Sequence, residues 1–242
     1  MKKVRIVLDA GHGGRDSGAV ANGLQEKQLT LLLVHKIAGH LGDRADTRLV
    51  RATDKDLNPD KSKDLSERAA FANTLGADYY LSVHINAGGG SGFESFVYTS
   101  VKDDSITKQI QSAIHKKIAK IFKEKELPDR GMKKANLAVL RQTAMPAALL
   151  EYGFIDNSTD AALLKKEDFL DHIARATADG LAEAFGLPTA AAAADTLKDD
   201  LAKLQKAGVI NSPEYWAVHA RTGGTARGDY VALLIKRMAE RL

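Results

Sequence analysis

Two histidines and two glutamates are the side chains of this sequence best placed to do chemistry. His12 follows an apolar run and is flanked by glycines, His84 lies near the end of a β-rich run, and Glu151 closes a third apolar run. Two imidazoles and one carboxylate can bind zinc and leave a fourth position open for water, as catalytic zinc sites require. The pattern therefore predicts that His12, Glu26 and His84 bind one zinc ion. Glu151 is then the candidate general base.

Each of these side chains also has a simpler interpretation, and their spacing alone does not decide between the two. A histidine between glycines occurs in plain turns and in phosphate-binding loops, although no Gly-Lys-Ser/Thr sequence follows His12. Glu26 could serve only as a first-turn acid of a helix. His84 could be a core histidine, and Glu151 could pair with Arg141. We interpret the other five histidines as surface or packing residues on predicted helices: His35, His40, His115, His172 and His219.

Composition narrows the class of protein. The chain has 242 residues, of which 44% are hydrophobic, enough for one sizeable α/β core and a small appendage. Its net charge is +4 and its basic and acidic residues are interleaved, so we expect no nucleic-acid partner. The absence of cysteine excludes disulfides and thiolate metal ligands. No apolar run approaches the roughly 20 residues of a membrane span, so we expect no membrane insertion.

Alternating strand and helix patterns predict the scaffold that carries these side chains. Strands are predicted over residues 4–10, 47–52, 80–86, 93–98, 136–141 and 146–151, and helices over residues 26–41, 64–72, 105–125 and 167–185. The first helix has apolar residues at every fourth position from Leu29 to Leu41, and a capping box at Asp64 begins the second. We expect an α/β fold with a central mixed, largely parallel sheet and helices on both faces. Ligands of such sheets bind at the carboxyl ends of the strands.

The composition changes after the last of these helices. A polyalanine stretch, Thr189 to Ala194, is either a linker or the beginning of a helix. Beyond it, leucines at helical spacing, a helix start at Ser212-Pro213 and a periodic stretch from Tyr230 predict three short helices, with Tyr215 and Trp216 in their core. We divide the chain into a catalytic domain (1–187), a linker (188–194) and a small C-terminal helical module (195–242).

Several motifs of the first domain occur in the order and spacing of one family. They are Leu8-Asp9-Ala10-Gly11-His12-Gly13-Gly14, Gly23-Leu24-Gln25-Glu26-Lys27, Arg68 with Ala72-Asn73, Ser82-Val83-His84-Ile85-Asn86, Met145-Pro146 and Leu150-Glu151-Tyr152-Gly153-Phe154-Ile155. Together they resemble the zinc-dependent N-acetylmuramoyl-L-alanine amidases of the Amidase_3 family, over residues 4–185.

This resemblance implies a reaction and a role for each key residue. In the family, the residues that match His12, Glu26 and His84 bind zinc, and the residue that matches Glu151 is catalytic. The implied reaction is hydrolysis of the amide between the lactyl group of N-acetylmuramic acid and L-alanine in peptidoglycan. Ala10 stands where many members have proline, a change that we expect to affect only the stiffness of the loop.

A second, separate resemblance lies beyond the Amidase_3 match, in residues 204–216 and 228–231 with Leu234-Ile235. The C-terminal module is similar to a short module attached to wall hydrolases, including phage endolysins, so we expect it to bind the cell wall. We expect no signal peptide, and predict synthesis in the cytoplasm and action on Gram-positive peptidoglycan after holin-dependent release or cell lysis, as for a phage endolysin or a bacterial autolysin. The alternative is a non-catalytic wall-binding or activator protein on an amidase scaffold.

Overall fold

The computed structural model describes residues 3–188, 190–219 and 226–239. The chain divides into two compact units, one within residues 1–41 and 45–187 and the other within residues 42–44 and 188–242. The strands of the first unit are β1 (Arg5–Ala10), β2 (Val20–Ala21), β3 (Leu24–Gln25), β4 (Asp46–Leu49), β5 (Tyr79–Asn86), β6 (Phe93–Tyr98), β7 (Asp129–Ala135) and β8 (Ala147–Phe154). Its helices are α1 (Glu26–Leu41), α2 (Lys61–Thr74), α3 (Ile106–Glu124), α4 (Ala138–Gln142), α5 (Ser158–Leu164) and α6 (Glu167–Ala184).

Six of these strands form one sheet, in the order β4-β1-β5-β8-β6-β7, while β2 and β3 form a separate small hairpin. The first four strands of this order are mutually parallel. Strand β6 runs antiparallel to β8 and parallel to β7. The predicted mixed, largely parallel sheet is therefore confirmed, and the reversal at β6 brings the beginning of β6 to the carboxyl end of β8.

Helices cover both faces of the sheet, as predicted. Helices α1, α3 and α6 share one apolar cluster with alternate sheet residues such as Leu8 and Leu81. Helices α2 and α4 share the second cluster with Val7, Tyr80 and Leu149. Successive side chains of a strand point to opposite faces of the sheet. Residues an even number of positions from Val7, Tyr80 or Leu149 in the same strand therefore lie on the face covered by α2 and α4, here called the α2/α4 face. That rule places Asp9, Ser82, His84 and Glu151 on one side of the sheet.

The strongly periodic helices agree with the sequence prediction, whereas one predicted strand is wrong. Helix α1 has the predicted bounds, and α3 begins after Ser105, whose side chain accepts a hydrogen bond from the Lys108 amide. The strand predicted over residues 136–141 is instead helix α4, a single turn that buries Val139 and Leu140. The strand itself precedes it, as β7, and went unpredicted because most of its residues are polar and exposed at the sheet edge.

The predicted beginning of α2 is also wrong. Asp60, not Asp64, is the N-cap, and its side chain accepts a hydrogen bond from the Lys63 amide. The Asp64 carboxylate instead accepts from the amides of Leu57 and Asn58 and thereby holds the loop that enters the helix. Three smaller differences concern other elements. The strand predicted over residues 47–52 is the shorter β4, and the loop 15–24 contains strand β2 and the start of β3. Helix α5 was not predicted.

The second unit consists of helices α7 (Ala190–Lys206), α8 (Pro213–His219) and α9 (Gly228–Ala239). Of the two alternatives for the polyalanine stretch, the structure has the beginning of a helix, because α7 starts at Ala190. As predicted, α8 begins at Pro213 and Trp216 is buried, in a cluster with Val209 and Ile210. The last predicted helix extended to residue 242, and residues 240–242 lie outside the described part of the chain.

Membrane insertion was not expected from the sequence. Within the ranges that the structure describes, none of the helices combines the length and apolar character that crossing a bilayer requires.

Candidate metal centre

Three side chains from separate elements converge at the carboxyl ends of β1 and β5. His12, Glu26 and His84 each offer one ligand atom, and these atoms all lie within 4.8 Å of one another. The Glu26 carboxylate lies between the imidazoles, with Oε2 3.1 Å from His12 Nε2 and Oε1 2.9 Å from His84 Nδ1. Residues 72 positions apart in sequence are thus brought together by the parallel pairing of β1 with β5 and by the helix between them.

Local backbone conformation positions each of the three. His12 follows β1 in the left-handed region, with φ 62°, where a β-branched side chain would be strained. Glu26 is the first residue of α1. His84 lies in β5 two positions after Ser82, on the α2/α4 face. Gly11 makes room for it, because a Cβ atom on Gly11 would lie 2.3 to 2.7 Å from three atoms of the His84 ring.

Further hydrogen bonds fix the orientation of His12 and Glu26. The Asp16 carboxylate accepts a hydrogen bond from His12 Nδ1 at 2.9 Å, which directs Nε2 toward Glu26. The amides of Ala19 and Ile85 donate to the two Glu26 oxygens, at 2.9 and 3.1 Å. A carboxylate on the second nitrogen of a ligand histidine is the usual outer support of metal sites in proteins.

The charges at this site suit a cation. Burial by itself would raise the pKa of Glu26, but hydrogen bonds from His12 and His84 outweigh it and lower that pKa. Burial would likewise lower the pKa of His12, and the carboxylates of Glu26 and Asp16 raise it instead. Glu26 is only 4% exposed, so its negative charge is held away from water. The donor set of two imidazole nitrogens and one carboxylate oxygen fits zinc, with one position left for water or substrate.

Glu151 lies on the strand next to His84. The two residues are paired in the register of β5 with β8, and Glu151 also faces Glu94 across the antiparallel pair of β8 with β6. In the described part of the chain, Glu151 Oε2 is buried and has no hydrogen-bond partner. The alternative pairing with Arg141 is not observed, since that guanidinium donates to Asn136. Burial, together with the charges of Glu26 and Glu94, raises the pKa of Glu151 well above its usual value.

Glu94 is a buried acid of this region that sequence reasoning missed. Its carboxylate accepts hydrogen bonds from Asn86 at 2.6 Å, from Arg130 at 2.9 Å and from Lys133. Burial would raise the pKa of Glu94, but the two cations lower it. The available signal was its place in the predicted strand 93–98, which puts Glu94 on the same face as Phe96 and Tyr98 of the α2/α4 cluster.

A cleft of about 160 Å³ opens beside the two histidines. Its described lining takes in His12 and His84 but not Glu151. The charged part of the lining consists of Asp9, Asp16, Lys61, Asp64 and Arg68. The remaining residues beside the histidines are Gly11, Leu65, Leu137, Ala138, Val139 and Leu149. The cleft thus offers both apolar surface and ionic groups to a substrate at the candidate metal centre.

The fold and the site together define an α/β enzyme domain with a candidate metal centre. A family profile, Amidase_3, described as N-acetylmuramoyl-L-alanine amidase, matches residues 6–183. The chain therefore belongs to the Amidase_3 family of N-acetylmuramoyl-L-alanine amidases, which confirms the resemblance found in the motifs, and it is an amide hydrolase.

Individual relatives agree with this assignment. The N-acetylmuramoyl-L-alanine amidase CwlM of Bacillus licheniformis is 46% identical over 193 residues, which cover 78% of this chain and 72% of the relative. The endolysin of Bacillus phage SPP1 is 44% identical over 196 residues, which cover 81% and 71%. The solved catalytic domain of CwlV, an N-acetylmuramoyl-L-alanine amidase from Bacillus (Paenibacillus) polymyxa var. colistinus, is similar with a TM-score of 0.68 and 33% identity, over 78% of this chain and 100% of that domain.

Proposed function

We propose that this amidase uses one zinc ion, bound by His12, Glu26 and His84, to hydrolyse the amide between the lactyl group of N-acetylmuramic acid and L-alanine. Peptidoglycan is the substrate of its family. One observation carries the finer proposal. Glu151, which is paired with His84, has a buried carboxylate oxygen, Oε2, without a hydrogen-bond partner in the described chain. Buried polar atoms are nearly always hydrogen-bonded, so an unsatisfied carboxylate beside a cluster of metal-binding side chains is most simply explained by catalysis.

The roles of the residues follow from their environments. When bound, a zinc ion supplies a Lewis acid that polarises the amide carbonyl and acidifies water near neutral pH. Glu151 accepts a proton from the water whose oxygen attacks the carbonyl carbon. As the carbon–nitrogen bond breaks, Glu151 delivers that proton to the departing amine of L-alanine. Burial raises the pKa of Glu151, which makes its carboxylate a stronger base toward the attacking water than an exposed carboxylate would be.

The apolar part of the cleft supports the substrate assignment. Leu65, Leu137, Val139 and Leu149 line it beside the two histidines. The scissile amide of peptidoglycan carries a methyl group on each side, one from the lactyl group and one from alanine. Apolar side chains next to the reacting centre are the surface against which such methyl groups are buried favourably.

Product chemistry tests this proposal directly. Purified Gram-positive peptidoglycan is digested with the full-length protein, with and without a zinc chelator, and new alanine amino termini are assayed together with new reducing sugar ends. We expect release of alanine amino termini that is lost with the chelator and restored by zinc, and no new reducing ends. The Glu151→Gln variant provides the matched control, because it should bind zinc and release nothing.

Other outcomes would contradict specific parts of the proposal. New reducing ends would indicate a glycosidase, and release insensitive to chelation would remove the metal from the mechanism. A protein that binds zinc and wall but releases neither product would favour the alternative of a non-catalytic wall-binding or activator protein.

We also propose that the C-terminal module binds the cell wall. A cavity of about 510 Å³ in this unit is lined by Trp216 and Tyr230 together with polar groups, among them Asn211 and Asp229. A lining that combines apolar side chains with a few polar groups suits a sugar or a stem peptide. A binding module would raise the concentration of the catalytic unit at an insoluble polymer.

Sedimentation with insoluble peptidoglycan tests this second proposal. The full-length Glu151→Gln protein is used, so that the polymer is not degraded during the measurement. Leu233 lines the cavity and is 45% exposed, whereas Ile235 of the same helix is 63% exposed and is not among the lining residues described. We expect Leu233→Ser to weaken binding and the matched Ile235→Ser to leave it unchanged. Equal binding by both variants would exclude this cavity as the wall site.

We propose Gram-positive bacteria as the source of the substrate. The amidase of Bacillus licheniformis, the endolysin of Bacillus phage SPP1 and a sporulation-specific amidase of Bacillus subtilis support this. Loss of turbidity of Bacillus cells, compared with outer-membrane-permeabilised Gram-negative cells, measures the preference. Release through holin pores or by cell lysis remains a prediction from the sequence.

A further inference from the structure

We infer that Arg51 is a positioning residue for the metal centre, because its buried guanidinium connects the backbone that carries His12 to the helix that carries Glu26. This inference rests on the proposed function, since it takes the His12, Glu26 and His84 cluster to be the zinc site. Arg51 is outside the motifs that the sequence analysis singled out.

The hydrogen bonds of Arg51 join two segments of the chain. Its Nε donates to the Ala10 carbonyl at 2.9 Å, and its Nη2 donates to the Gly11 carbonyl at 3.0 Å. The same Nη2 lies 2.8 Å from the Lys27 carbonyl and 3.1 Å from Thr30 Oγ1, both in α1. Thr30 Oγ1 in turn donates to the Gly11 carbonyl at 2.8 Å. One guanidinium therefore sets the distance between the segment just before His12 and the first turn of α1.

The peptide group between Gly11 and His12 explains how this contact reaches the ligand. That group is planar, so the direction of the Gly11 carbonyl fixes the direction of the His12 amide. Holding the carbonyl on Arg51 and Thr30 therefore restrains φ of His12, which has the unusual value of 62°. A left-handed histidine needs such external support, because the conformation costs energy by itself.

The charge of Arg51 is maintained at a cost. The side chain is 1% exposed, and no carboxylate oxygen lies within ion-pair distance of it in the part of the chain that the structure describes. Burial and the neighbouring Arg68 lower the pKa of Arg51, and the carboxylates of Asp9, Asp54 and Asp64 only partly oppose this. A buried cation without an ion pair is unfavourable, and a methionine would fill much of the same space. The guanidinium, unlike a methionine side chain, donates hydrogen bonds to both the segment before His12 and the first turn of α1.

Arg68 also binds the backbone around His12, but it differs from Arg51 in having ion pairs. It donates to the carbonyls of Ala10 and His12, both at 2.7 Å, so three successive carbonyls before and at the ligand accept from guanidinium groups. Unlike Arg51, however, Arg68 forms ion pairs with Asp9 and Asp64. Its loss would leave buried carboxylates unpaired and damage the fold generally. Arg51 is therefore the better residue with which to separate positioning from stability.

Metal affinity of the full-length protein tests the inference without any measurement of turnover. Co²⁺ is titrated into the metal-free protein and followed by its visible absorption, and zinc affinity is measured by competition with a chelator. The variants are Arg51→Lys, Arg51→Met and the nearly isosteric Thr30→Val. Arg48→Met is the control, because Arg48 is on β4 with a side chain that is 54% exposed.

We expect both Arg51 variants to bind Co²⁺ and zinc about 10- to 100-fold more weakly, the range found when outer supports of metal ligands are removed. The Co²⁺ spectrum should change as well, because His12 is displaced. Thr30→Val should weaken binding less than either Arg51 variant, since Arg51 still holds the Gly11 carbonyl. Arg48→Met should bind as the wild type does.

Arg51→Lys with wild-type affinity and a wild-type Co²⁺ spectrum would overturn the inference, even if its melting temperature were lower. Should Arg51→Met fail to fold, Arg51→Lys decides the question by the same criterion. In that case wild-type metal binding by Arg51→Lys means that the inference fails while the metal centre stands, whatever Thr30→Val shows. If the wild type itself binds neither metal, the proposed function fails, and the inference fails with it.

Discussion

Glu94 and Glu151 lie directly opposite each other across the antiparallel pair of β6 and β8. Two ionised carboxylates at such a position repel. The two carboxyl groups have different surroundings, which reduces this repulsion. Arg130 and Lys133 form ion pairs with Glu94, whereas Glu151 Oε2 has no hydrogen-bond partner in the described chain. The pKa of Glu94 is lowered and that of Glu151 is raised. Carboxyl groups whose pKa values are pushed apart in this way are typical of acid–base catalysis.

We predict that Glu151→Gln removes turnover and keeps the metal. Loss of a positioned general base lowers the rate by about 100- to 10,000-fold, and an amide cannot accept the proton of the attacking water. Release of alanine amino termini and the zinc content of the purified variant measure the two effects. Glu167→Gln, at a side chain that is 85% exposed, is the surface control. Turnover close to that of the wild type would remove Glu151 from the mechanism.

The same variant should alter stability in a pH-dependent way. The raised pKa means that native Glu151 binds a proton more tightly than it does in the unfolded chain, so its contribution to stability is present at low pH and is lost as the pH rises through the native pKa. Above that pH, metal-free Glu151→Gln should be more stable than the wild type by about 1 to 3 kcal/mol. Urea unfolding of both proteins from pH 4 to pH 9 measures the difference. A difference that does not change with pH would contradict the assigned burial of the charge.

Gly11→Ala should disrupt the metal site for a steric reason. The added Cβ would lie 2.3 Å from Cε1 of His84, so the imidazole has to move. We expect metal affinity to fall by at least about 10-fold, as for other displaced ligands. Gly39→Ala is the matched control, because no atom lies within 4 Å of its new Cβ, and in α1 the change should stabilise the helix by about 0.5 to 1 kcal/mol. Equal metal affinity of the two variants, measured by Co²⁺ titration, would exclude the steric role of Gly11.

Asp16→Asn should weaken metal binding through His12. Asp16 accepts the hydrogen bond of His12 Nδ1 at 2.9 Å, and a neutral amide orients the imidazole less strongly than a carboxylate does. The expected loss of zinc affinity is about 10- to 100-fold, measured by chelator competition. Asp56→Asn is a suitable control, since Asp56 pairs with Arg15 nearby without contacting a ligand histidine. A variant that retains full affinity would show that His12 is oriented by its backbone alone.

His84→Ala should lose both metal and activity. One of the three proposed ligand side chains is removed, and we expect the remaining two not to hold zinc tightly. His172→Ala, on the exposed face of α6, should retain both properties. Metal analysis after gel filtration and the alanine-release assay measure the two variants side by side. Zinc retained in full by His84→Ala would place the metal elsewhere.

The sequence predicted those parts of the fold whose hydrophobic pattern is regular. Helix α1 was predicted at its observed bounds because Leu29, Leu33, Ile37 and Leu41 are all buried on one face. Strand β7 could not be predicted in this way, since Met132 is the only large apolar residue in it and an edge strand buries little. A run of apolar residues just after it resembled a strand, yet a single helical turn buries Val139 and Leu140 equally well.

The candidate site likewise has a part that the sequence predicted and a part that it did not. Residue type and position at strand ends were enough to single out His12, His84 and Glu151, and the structure brings the two histidines together with Glu26. The support given by Arg51 had no sequence signal. Arginine is normally exposed, and the carbonyl groups that it binds are identical in every residue. Such contacts depend on the path of the backbone and become visible only in three dimensions.

Strand β7 has a consequence for the behaviour of the protein in solution. It forms one edge of the central sheet, and edge strands can pair with the edge of another molecule and begin aggregation. Four of its seven residues are charged, and Gly131 has φ 85°. The charges and the irregular backbone both oppose pairing with a second strand. We therefore expect the cationic side chains that bind Glu94 also to oppose aggregation at high protein concentration, and their replacement by apolar residues to promote it.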